Sequence, residues 1–387
     1  MVSLPEYDVL IVGAGPAGTA CALALAGSGL RVALVDQAQF PRDKVCGDAI
    51  PGPTLKALAR LNPAFATELL ALTQEHRTDV RQSRIVTSRG TKLSIAWQAP
   101  AFNSPRLHFD AALFTLVRQH TPTVVLEGSP VKTVHADEHG VSVRLAGNAH
   151  PPLTAHLVVG CDGANSVVAR CLAPWPLNRA QHCAAVRAYY TGITEAPATT
   201  SDFLFLRRYR AGYCWVFPVG DGTYNVGFGM LSAEISQQHV NLREVLDELL
   251  RTHPDLAPRF REARRLGPVQ GFGLPLGGSA RPVVGPRALL CGDAAALIDP
   301  LQGHGIDKAV MSGVLAAEHV RRCCQSQQFG AAALEPYAQA LHRRLGRDLA
   351  RRYQLMRWLA RAPWLVEVAC WVARVRKVRQ WLVRAVG

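Results

Sequence analysis

The segment from Tyr7 to Asp36 constrains the fold of this chain more than any other part of its sequence. Tyr7 to Val12 is an apolar run typical of a central parallel strand that is buried on both faces. A glycine turn and a small-residue helix follow, and a second apolar run over residues 31–35 ends in Asp36. This order of strand, turn, helix, strand and terminal acid predicts an α/β unit that binds a dinucleotide.

The glycines of the turn follow the G-x-G-x-x-G pattern. Gly13 permits the tight turn, Gly15 lets the backbone approach a pyrophosphate, and Gly18 lets the helix pack closely on the strand. Ala17 lies in the same turn, and the free N–H groups at the start of the helix would bind the phosphates. Asp36 has the spacing of a residue that binds a ribose hydroxyl. The alternative is a glycine-rich surface turn.

Composition narrows the class of protein. The chain has 387 residues, of which 49% are apolar and 19% charged, so we expect a globular protein of more than one domain. The formal net charge is +14, yet no nucleic-acid motif is present. The basic charge therefore favours a membrane surface or an anionic substrate as partner, and we expect no nucleic-acid partner.

Cysteine usage and the absence of targeting signals suggest the compartment. The ten cysteines have neither C-x-x-C spacing nor a nearby histidine cluster, so we expect reduced thiols, no disulfide framework and no metal site. The first apolar segment lacks the basic start of a signal peptide. No apolar run reaches the roughly 18 residues of a spanning helix. We therefore predict a cytoplasmic protein, with membrane association at the inner face.

Two further segments have features of ligand loops. Residues 40–48 form a charged stretch that has a proline near its start and contains Cys46 and Gly47. Because of its charges, this stretch does not have the pattern of a hydrophobic core segment. Arg106 and Asp110 precede an apolar helix over residues 111–119, where Asp110 would cap the helix and Arg106 would reach a phosphate.

The second half of the chain begins with a different strand pattern and then returns to the strand-and-helix pattern of the N-terminal segment. Residues 182–276 hold strand-like runs of antiparallel type and predict a substrate domain whose sheet covers the cofactor. Residues 283–290 lead into Asp293, which could accept a hydrogen bond from a ribityl hydroxyl. The amides near Gly305 and Ile306 then begin a second small-residue helix and would face developing negative charge on a flavin ring.

Three motifs in this order resemble the FAD fingerprints of the para-hydroxybenzoate hydroxylase-like flavoproteins. They are the glycine turn with Asp36, Cys161-Asp162-Gly163, and Cys291-Gly292-Asp293. The resemblance covers residues 5–320. It implies an α/β fold: a Rossmann-like FAD-binding domain with an inserted mixed-sheet substrate domain and a C-terminal helical tail. The expected parts are FAD-binding residues 1–75, 103–175 and 281–330, substrate-domain residues 76–102 and 176–280, and tail residues 331–387.

A narrower resemblance is to the geranylgeranyl reductases. Residues 40–47 are similar to their P-x-x-K-x-C-G segment, residues 213–218 to their Y-x-W-x-F-P motif, and residues 300–306 to their P-L-x-G-E-G-I loop. The sequence departs from the last motif at His304, where an acidic residue is usual. Asp307 and Lys308 add further charge beyond the loop.

The resemblance implies a role for each matching residue. Gly13, Gly15, Gly18 and Asp36 would bind the ADP half of FAD, and Ala17 and Asp162 belong to the same binding segments. Arg106 would contact the diphosphate, and Gly292 and Asp293 the ribityl–phosphate region. Gly303, Gly305 and Ile306 would border the isoalloxazine, with Cys46 and Gly47 between flavin and substrate. Tyr213, Trp215 and Phe217 would line the substrate cavity, since alternate residues of a strand share a face.

Four functions remain open on the sequence. A reductase would deliver hydride from reduced FAD to a carbon–carbon double bond of an apolar isoprenoid or polyene, with Cys46 or His304 as the catalytic proton donor. A monooxygenase would hydroxylate an aromatic or quinone-like ring. NAD(P)H would be a transient electron donor in either case. A halogenase would carry W-x-W-x-I-P where this chain has residues 213–218, and a flavin-binding lipid carrier would have no enzymatic activity.

The C-terminal tail predicts an amphipathic helix. Four of the seven tryptophans lie after residue 355, and nine basic residues stand against the single acid Glu367 from residue 351 on. Pro363 would begin the helix. One face would carry Trp364, Val368, Trp371, Val375, Val378 and Leu382. We predict peripheral membrane contact through residues 355–387 with an apolar or lipid substrate; the alternative is that this face packs on the substrate domain.

Overall fold

The computed structural model describes residues 5–147, 151–279, 281–362 and 364–373. Its strands, in chain order, are β1 Tyr7–Val12, β2 Val32–Val35, β3 Ala49–Ile50, β4 Thr78–Val86, β5 Lys92–Asn103, β6 Val124–Leu126, β7 Val131–Ala136, β8 Val141–Leu145, β9 Leu153–Gly160, β10 His182–Thr191, β11 Thr200–Phe205, β12 Gly212–Gly220, β13 Thr223–Leu231, β14 Arg264–Pro275, β15 Val284–Gly285 and β16 Ala288–Leu290.

The α-helices, in chain order, are α1 Pro16–Leu25, α2 Gly52–Leu61, α3 Pro63–Leu72, α4 Arg106–His120, α5 Val167–Leu172, α6 Ser232–Gln238, α7 Leu242–Thr252, α8 Ala257–Phe260, α9 Ile306–Ser326, α10 Ala331–Leu341, α11 Arg347–Arg361 and α12 Trp364–Val372. Short 3-10 turns lie at Gln74–His76, Arg179–Gln181 and Gly292–Ala295, and a π turn at His342–Gly346 joins α10 to α11.

The first sheet contains the predicted β-α-β unit. Its strand order is β15-β16-β9-β1-β2-β6, and β1 pairs in parallel with both β2 and β9. The four residues at the end of β1 are buried, as a strand covered on both faces requires. Every residue of α1 is buried as well, because α9 packs on its outer side. A Cβ at Gly313 of α9 would lie 2.1 Å from the Ala17 carbonyl oxygen, so the two helices touch through their backbones.

The second sheet is mixed and has the order β14-β10-β13-β12-β11-β4-β5-β3. Its pairings are antiparallel except between β11 and β4. It draws β3 to β5 from the first third of the chain and β10 to β14 from the middle. One side of this sheet forms a core with α7, where Leu246 and Phe228 are fully buried. These two sheets, with helices α10 to α12 after them, confirm the predicted α/β fold class.

Helix α12 lies on the turn of the β4–β5 hairpin. Cys370 of this helix and Ala373, directly after it, are buried with Leu93 of β5. The Glu367 carboxylate accepts hydrogen bonds from Thr87 Oγ1 at 2.6 Å, Ser88 Oγ at 2.9 Å and the Arg89 amide at 3.0 Å. The face that packs on the second sheet is therefore the face that carries Glu367, and not the tryptophan face.

The three tail tryptophans that the structure describes are exposed to solvent. Trp358 of α11 is 67% exposed, and Trp364 and Trp371 of α12 are 60% and 67% exposed. Within residues 364–373, packing of this face on the chain itself is therefore wrong. Pro363 and the predicted face beyond residue 373 lie outside the described residues. Among the described residues, no helix is both long and apolar enough to cross a bilayer.

Candidate active site

The glycine turn is crowded at two of its positions and open at the third. A Cβ at Gly13, whose φ is +100°, would lie 2.3 Å from the Cys161 carbonyl oxygen, and one at Gly18 would lie 1.8 Å from the Gly13 carbonyl oxygen. A Cβ at Gly15 would meet only the Arg42 guanidinium, at 3.7 Å. Open space therefore lies in front of the N-terminus of α1, which has no side-chain cap.

Two predicted cofactor residues hold the local backbone. The Asp36 carboxylate accepts from the Ala14 amide at 2.6 Å and so fixes the glycine turn. The Asp162 carboxylate accepts from Ser166 Oγ at 2.5 Å and the Val167 amide at 2.7 Å, at the start of α5. Burial raises the pKa of Asp162 despite these hydrogen bonds. Contact of either residue with FAD remains a prediction.

Basic side chains surround the open space. Arg42 pairs with Asp110 at 2.6 Å, and Arg106 donates to the same carboxylate at 2.6 Å through Nε. Helix α4 begins at Arg106, so the prediction that Asp110 caps it is wrong: Asp110 lies one turn inside the helix as a buried counterion. Burial raises the pKa of Asp110, but the two guanidinium groups lower it further than burial raises it. Contact of Arg106 with phosphate remains a prediction.

The second strand-to-helix junction adjoins the first. Lys44 Nζ lies 2.9 Å from Asp293 Oδ2. A Cβ at Gly305 would lie 3.6 Å from Asp293 Oδ1, and a Cβ at Gly292 would lie 3.4 Å from the Ala17 methyl group. Ile306 is the first residue of α9, whose start also lacks a side-chain cap. The fold thus brings the glycine turn, residues 42–44, residues 292–293 and the start of α9 to one place.

An aromatic wall faces this junction from the second sheet. It consists of Tyr213, Trp215 and Phe217 of β12 together with Phe203 of β11. Ring centroids of neighbouring members lie 6.0 Å (Tyr213–Trp215), 6.3 Å (Trp215–Phe217) and 5.0 Å (Phe203–Phe217) apart. A Cβ at Gly47 would lie 3.4 Å from the Phe217 ring and 3.6 Å from Trp215 Nε1. The segment that holds Cys46 therefore lies directly on the wall.

The loop over residues 299–305 touches the other end of the wall. Tyr213 Oη donates to the Gln302 carbonyl oxygen at 2.8 Å. Gly303 has a φ of +74°, and a Cβ there would lie 2.5 Å from Tyr213 Oη. Glycine at this position thus serves both the left-handed backbone and the close approach of the phenol.

His304 is held in a network with the two charged residues that follow the loop. Its Nδ1 lies 3.0 Å from Asp307 Oδ1, and its Nε2 lies 2.6 Å from Gln302 Oε1. Lys308 Nζ bonds the second oxygen of Asp307 at 3.0 Å and lies 3.6 Å from the buried Asp299. Burial raises the pKa of Asp307, but His304 and Lys308 lower it well below its usual range. The three departures from the reductase motif thus interact with one another.

Sequence reasoning missed two buried polar residues behind the wall. Asp48, directly after Gly47, is fully buried, and so is Asn225 of β13, which bonds it at 2.7 Å. The only sequence signal was a polar residue inside an otherwise apolar strand, at Asn225.

These residues fit FAD. The uncapped amides of α1, the space left at Gly15, and the nearby cations Arg42 and Lys44 suit an anionic pyrophosphate. The aromatic wall and the Gly47 backbone offer an apolar surface beside the second helix start. The residues present therefore provide one polar and one apolar end, as a dinucleotide with a flat ring system requires.

Comparison with known proteins decides the family. Residues 6–255 match the family model described as FAD binding domain. The chain belongs to this family. The menaquinone reductase of Mycolicibacterium smegmatis is 32% identical over 323 residues, which cover 80% of this chain and 75% of that protein. The digeranylgeranylglycerophospholipid reductase of Methanocella arvoryzae is 28% identical over 371 residues, covering 90% of this chain and 86% of that protein.

Solved structures of other proteins share the fold. A geranylgeranyl bacteriochlorophyll reductase-like protein of Thermoplasma acidophilum has a TM-score of 0.79 at 24% identity, covering 92% of this chain and 88% of that one. A flavin-dependent brominase has a TM-score of 0.80 at 20% identity, covering 98% and 92%. The resemblance to the geranylgeranyl reductase-like branch is confirmed, and the chain is an FAD-dependent oxidoreductase. The fold is common to reductases and halogenases, so it does not distinguish their reactions.

Proposed function

We propose that this flavoprotein reduces carbon–carbon double bonds of an isoprenoid or polyene-like substrate. The observation that carries the proposal is the aromatic wall, which meets Cys46-Gly47 at one end and the 299–305 loop at the other. Phe217 is 5% exposed and Trp215 is 7% exposed, so the wall is shielded from water. This shielding supports the proposal that the wall lines a cavity for an apolar ligand.

The relatives support the substrate class. Their names give menaquinone and digeranylgeranylglycerophospholipid as substrates. Both molecules contain polyprenyl chains, which are apolar and carry isolated double bonds. An unsaturated chain of this kind needs a site that excludes water and holds it by shape, which is what closely packed aromatic side chains offer.

Bound FAD, once reduced, supplies a hydride. The protein's own residues orient the substrate and deliver the proton. Tyr213, Trp215 and Phe217 would hold the chain, and the proton would come from the Cys46 thiol or the His304 imidazole. His304 is the better placed to stay in one orientation, since Asp307 and Gln302 each bond one of its ring nitrogens. NAD(P)H is the proposed transient electron donor.

Anaerobic half-reactions test this function. The holoprotein is reduced with dithionite without oxygen, mixed with a polyprenyl quinone in detergent, and followed by flavin absorbance and product mass. We expect reoxidation by the substrate. After air has returned any quinol to the quinone, the product should still be heavier by two hydrogens, because only reduction of a carbon–carbon double bond survives that step. Replacing the true donor, by Cys46→Ala or His304→Ala, should slow this step on the order of 100-fold or more, with FAD content unchanged.

The same experiment separates the alternatives. An oxygen-dependent product that has gained an oxygen atom would replace the reductase proposal with a monooxygenase. Wild-type rates in both variants would show that neither side chain is the proton donor. A flavin that neither NAD(P)H nor dithionite reduces would favour a carrier.

We also propose that the tail contacts a membrane at the cytoplasmic face. Trp364, Val368 and Trp371 are all exposed and lie at helical spacing on one face of α12. Arg357 and Arg361 of α11 are exposed beside Trp358. Indoles beside arginines suit the headgroup region of an anionic bilayer, where an apolar substrate would be available without crossing water.

A further inference from the structure

The buried carboxylate of Asp48 has no part in the reaction described above, yet it lies behind both groups that would meet the substrate. Asp48 is fully buried, and its φ is +66°, in the left-handed region that few residues other than glycine adopt. Such a backbone persists only where the surrounding structure fixes it, and it concentrates at functional sites.

Three elements converge on this carboxylate. Tyr189 Oη of β10 and Asn225 Nδ2 of β13 both donate to Oδ2 at 2.7 Å. The amide of Arg106, at the start of α4, donates to Oδ1 at 3.3 Å. The Asp48 side chain therefore ties the second sheet to the helix that begins with Arg106.

Asn225 extends these contacts to the site. Its Nδ2 also donates to the Cys46 carbonyl oxygen at 2.7 Å, and its Oδ1 accepts from Trp215 Nε1 at 2.8 Å. Asn225 is fully buried, so it has no water to replace these partners. One amide thus fixes the backbone of Cys46 and the indole of Trp215 relative to each other, and Asp48 fixes that amide.

We propose that Asp48 is a positioning residue that, through Asn225, holds Cys46 and Trp215 in the arrangement that orients the substrate's double bond. The role rests on the proposed function. It concerns the step from reduced flavin to substrate. The structure shows Asp48 bonded to the backbone amide of Arg106 and to neither the glycine turn nor Asp293, so we expect FAD to stay bound without the Asp48 carboxylate.

The charged groups around Asp48 give the role a pH signature. Burial raises the pKa of Asp48 to about 6, although Tyr189, Asn225, Arg187 and Arg106 all favour the ionised form. Arg187 is itself engaged with Asp43 at 2.6 Å. Protonation of Asp48 would add a hydrogen to a carboxylate whose neighbours all donate hydrogen bonds to it. It would therefore weaken the hydrogen bond from Asn225. Substrate turnover should therefore fall on the acid side with a midpoint near this pKa.

Asp48→Asn and Asp48→Ala test the proposal in the holoprotein. The amide can keep one oxygen toward Tyr189 and Asn225 but cannot ionise, whereas alanine removes all three contacts. We expect Asp48→Ala to slow flavin reoxidation by a polyprenyl quinone at least 10-fold, with unchanged FAD content and unchanged reduction by dithionite. Asp48→Asn should lose less activity than Asp48→Ala. Its turnover should not show the acid limb, which is the fall in turnover as the pH drops through about 6.

Asp202→Asn is the matched control. Asp202 is also buried in the second sheet, where it pairs with Arg84 at 2.6 Å and Arg259 at 2.9 Å, and it does not contact the Asp48 network. This variant should lose thermal stability and keep the wild-type acid limb. If Asp48→Asn and Asp202→Asn behave alike, Asp48 has a merely structural role and the proposal is overturned.

A readout without substrate separates this proposal from the proposed function. Alkylation of Cys46 is compared by peptide mass spectrometry with that of the exposed Cys171 in the same sample. Asp48→Ala should raise the Cys46 rate severalfold relative to Cys171, because the segment is released, and Asp48→Asn should raise it less. Wild-type protein that no polyprenyl substrate reoxidises would overturn the proposed function alone. Unchanged Cys46 alkylation in Asp48→Ala would overturn the positioning role; if Asp48→Ala does not fold, a wild-type fall of turnover at acid pH in Asp48→Asn would overturn it.

Discussion

Gly13 and Gly15 belong to one motif, yet the structure constrains them differently. Gly13 needs a positive φ and touches the carbonyl of Cys161, so the protein itself excludes a side chain there. Gly15 has ordinary extended backbone with a φ of −74° and faces open space. The protein itself leaves room for a side chain at Gly15, so a requirement for glycine there would come from a bound ligand.

Gly15→Val should therefore lose FAD and keep the fold. We expect at least a 10-fold loss of FAD affinity, with an apoprotein melting temperature within a few degrees of wild type. Gly13→Ala should instead destabilise the fold by about 3 kcal/mol or more, through strain and overlap. Asp293→Ala should also release FAD. Flavin absorbance after gel filtration and thermal melts measure both properties, and full flavin retention in Gly15→Val and Asp293→Ala would contradict the site.

At the scale of elements, helix α12 is divided between two environments. Its Glu367 side binds the turn of the β4–β5 hairpin, and its tryptophan side faces solvent. The hydrogen bonds from Thr87, Ser88 and the Arg89 amide lower the pKa of Glu367, although burial raises it. A carboxylate with a lowered pKa stabilises the fold above its ordinary pKa and loses that contribution as the pH falls through the lowered value.

Glu367→Gln should release α12 from the hairpin. We expect a loss of about 1 kcal/mol at pH 7, since the group lies near the surface and solvent screens it. The difference from wild type should shrink below about pH 4, the ordinary range for glutamate. Chemical denaturation at the two pH values measures this. Glu335→Gln, on the exposed side of α10, is the control, and equal stability of the two variants at pH 7 would show that the contact is not formed in solution.

At the scale of the molecule, the outward tryptophans and the net charge of +14 point to one kind of partner. Exposed large apolar residues cluster in α11 and α12, where they number five: Leu355, Trp358, Trp364, Val368 and Trp371. The inner side of α12 packs on the second sheet, which also carries the aromatic wall. A membrane bound by these helices would therefore lie against the domain that is proposed to take up the substrate.

Replacing Trp358, Trp364 and Trp371 with serine should abolish this contact without unfolding the chain, because all three indoles are exposed. We expect partitioning onto anionic vesicles to fall on the order of 10-fold or more, and wild-type binding to weaken with added salt. Trp175→Ser is the control, since Trp175 is 44% exposed outside the tail. Vesicle sedimentation measures both, and equal partitioning of the triple variant and wild type would refute the membrane contact.

Local pattern was sufficient to predict the β-α-β unit and the shared face of Tyr213, Trp215 and Phe217. Each of these depends on periodicity over a few residues, which burial on one or both faces imposes. The prediction failed at Asp110. A carboxylate before an apolar run has the pattern of a helix N-cap, and only its ion-pair partners show that it has another role. Arg42 pairs with Asp110 across 68 positions, and no local pattern reveals that pair.

The sequence by itself predicted the β-α-β unit, the α/β fold class and the exposed tryptophan face of α12. Only the tertiary structure decided which side of α12 is covered, and that Asp48 lies behind Cys46. Periodicity separates the faces of an element but does not identify the surface that meets each face. Asn225 reaches Cys46 from 179 positions away, and such a contact exists only after the two sheets have formed and packed.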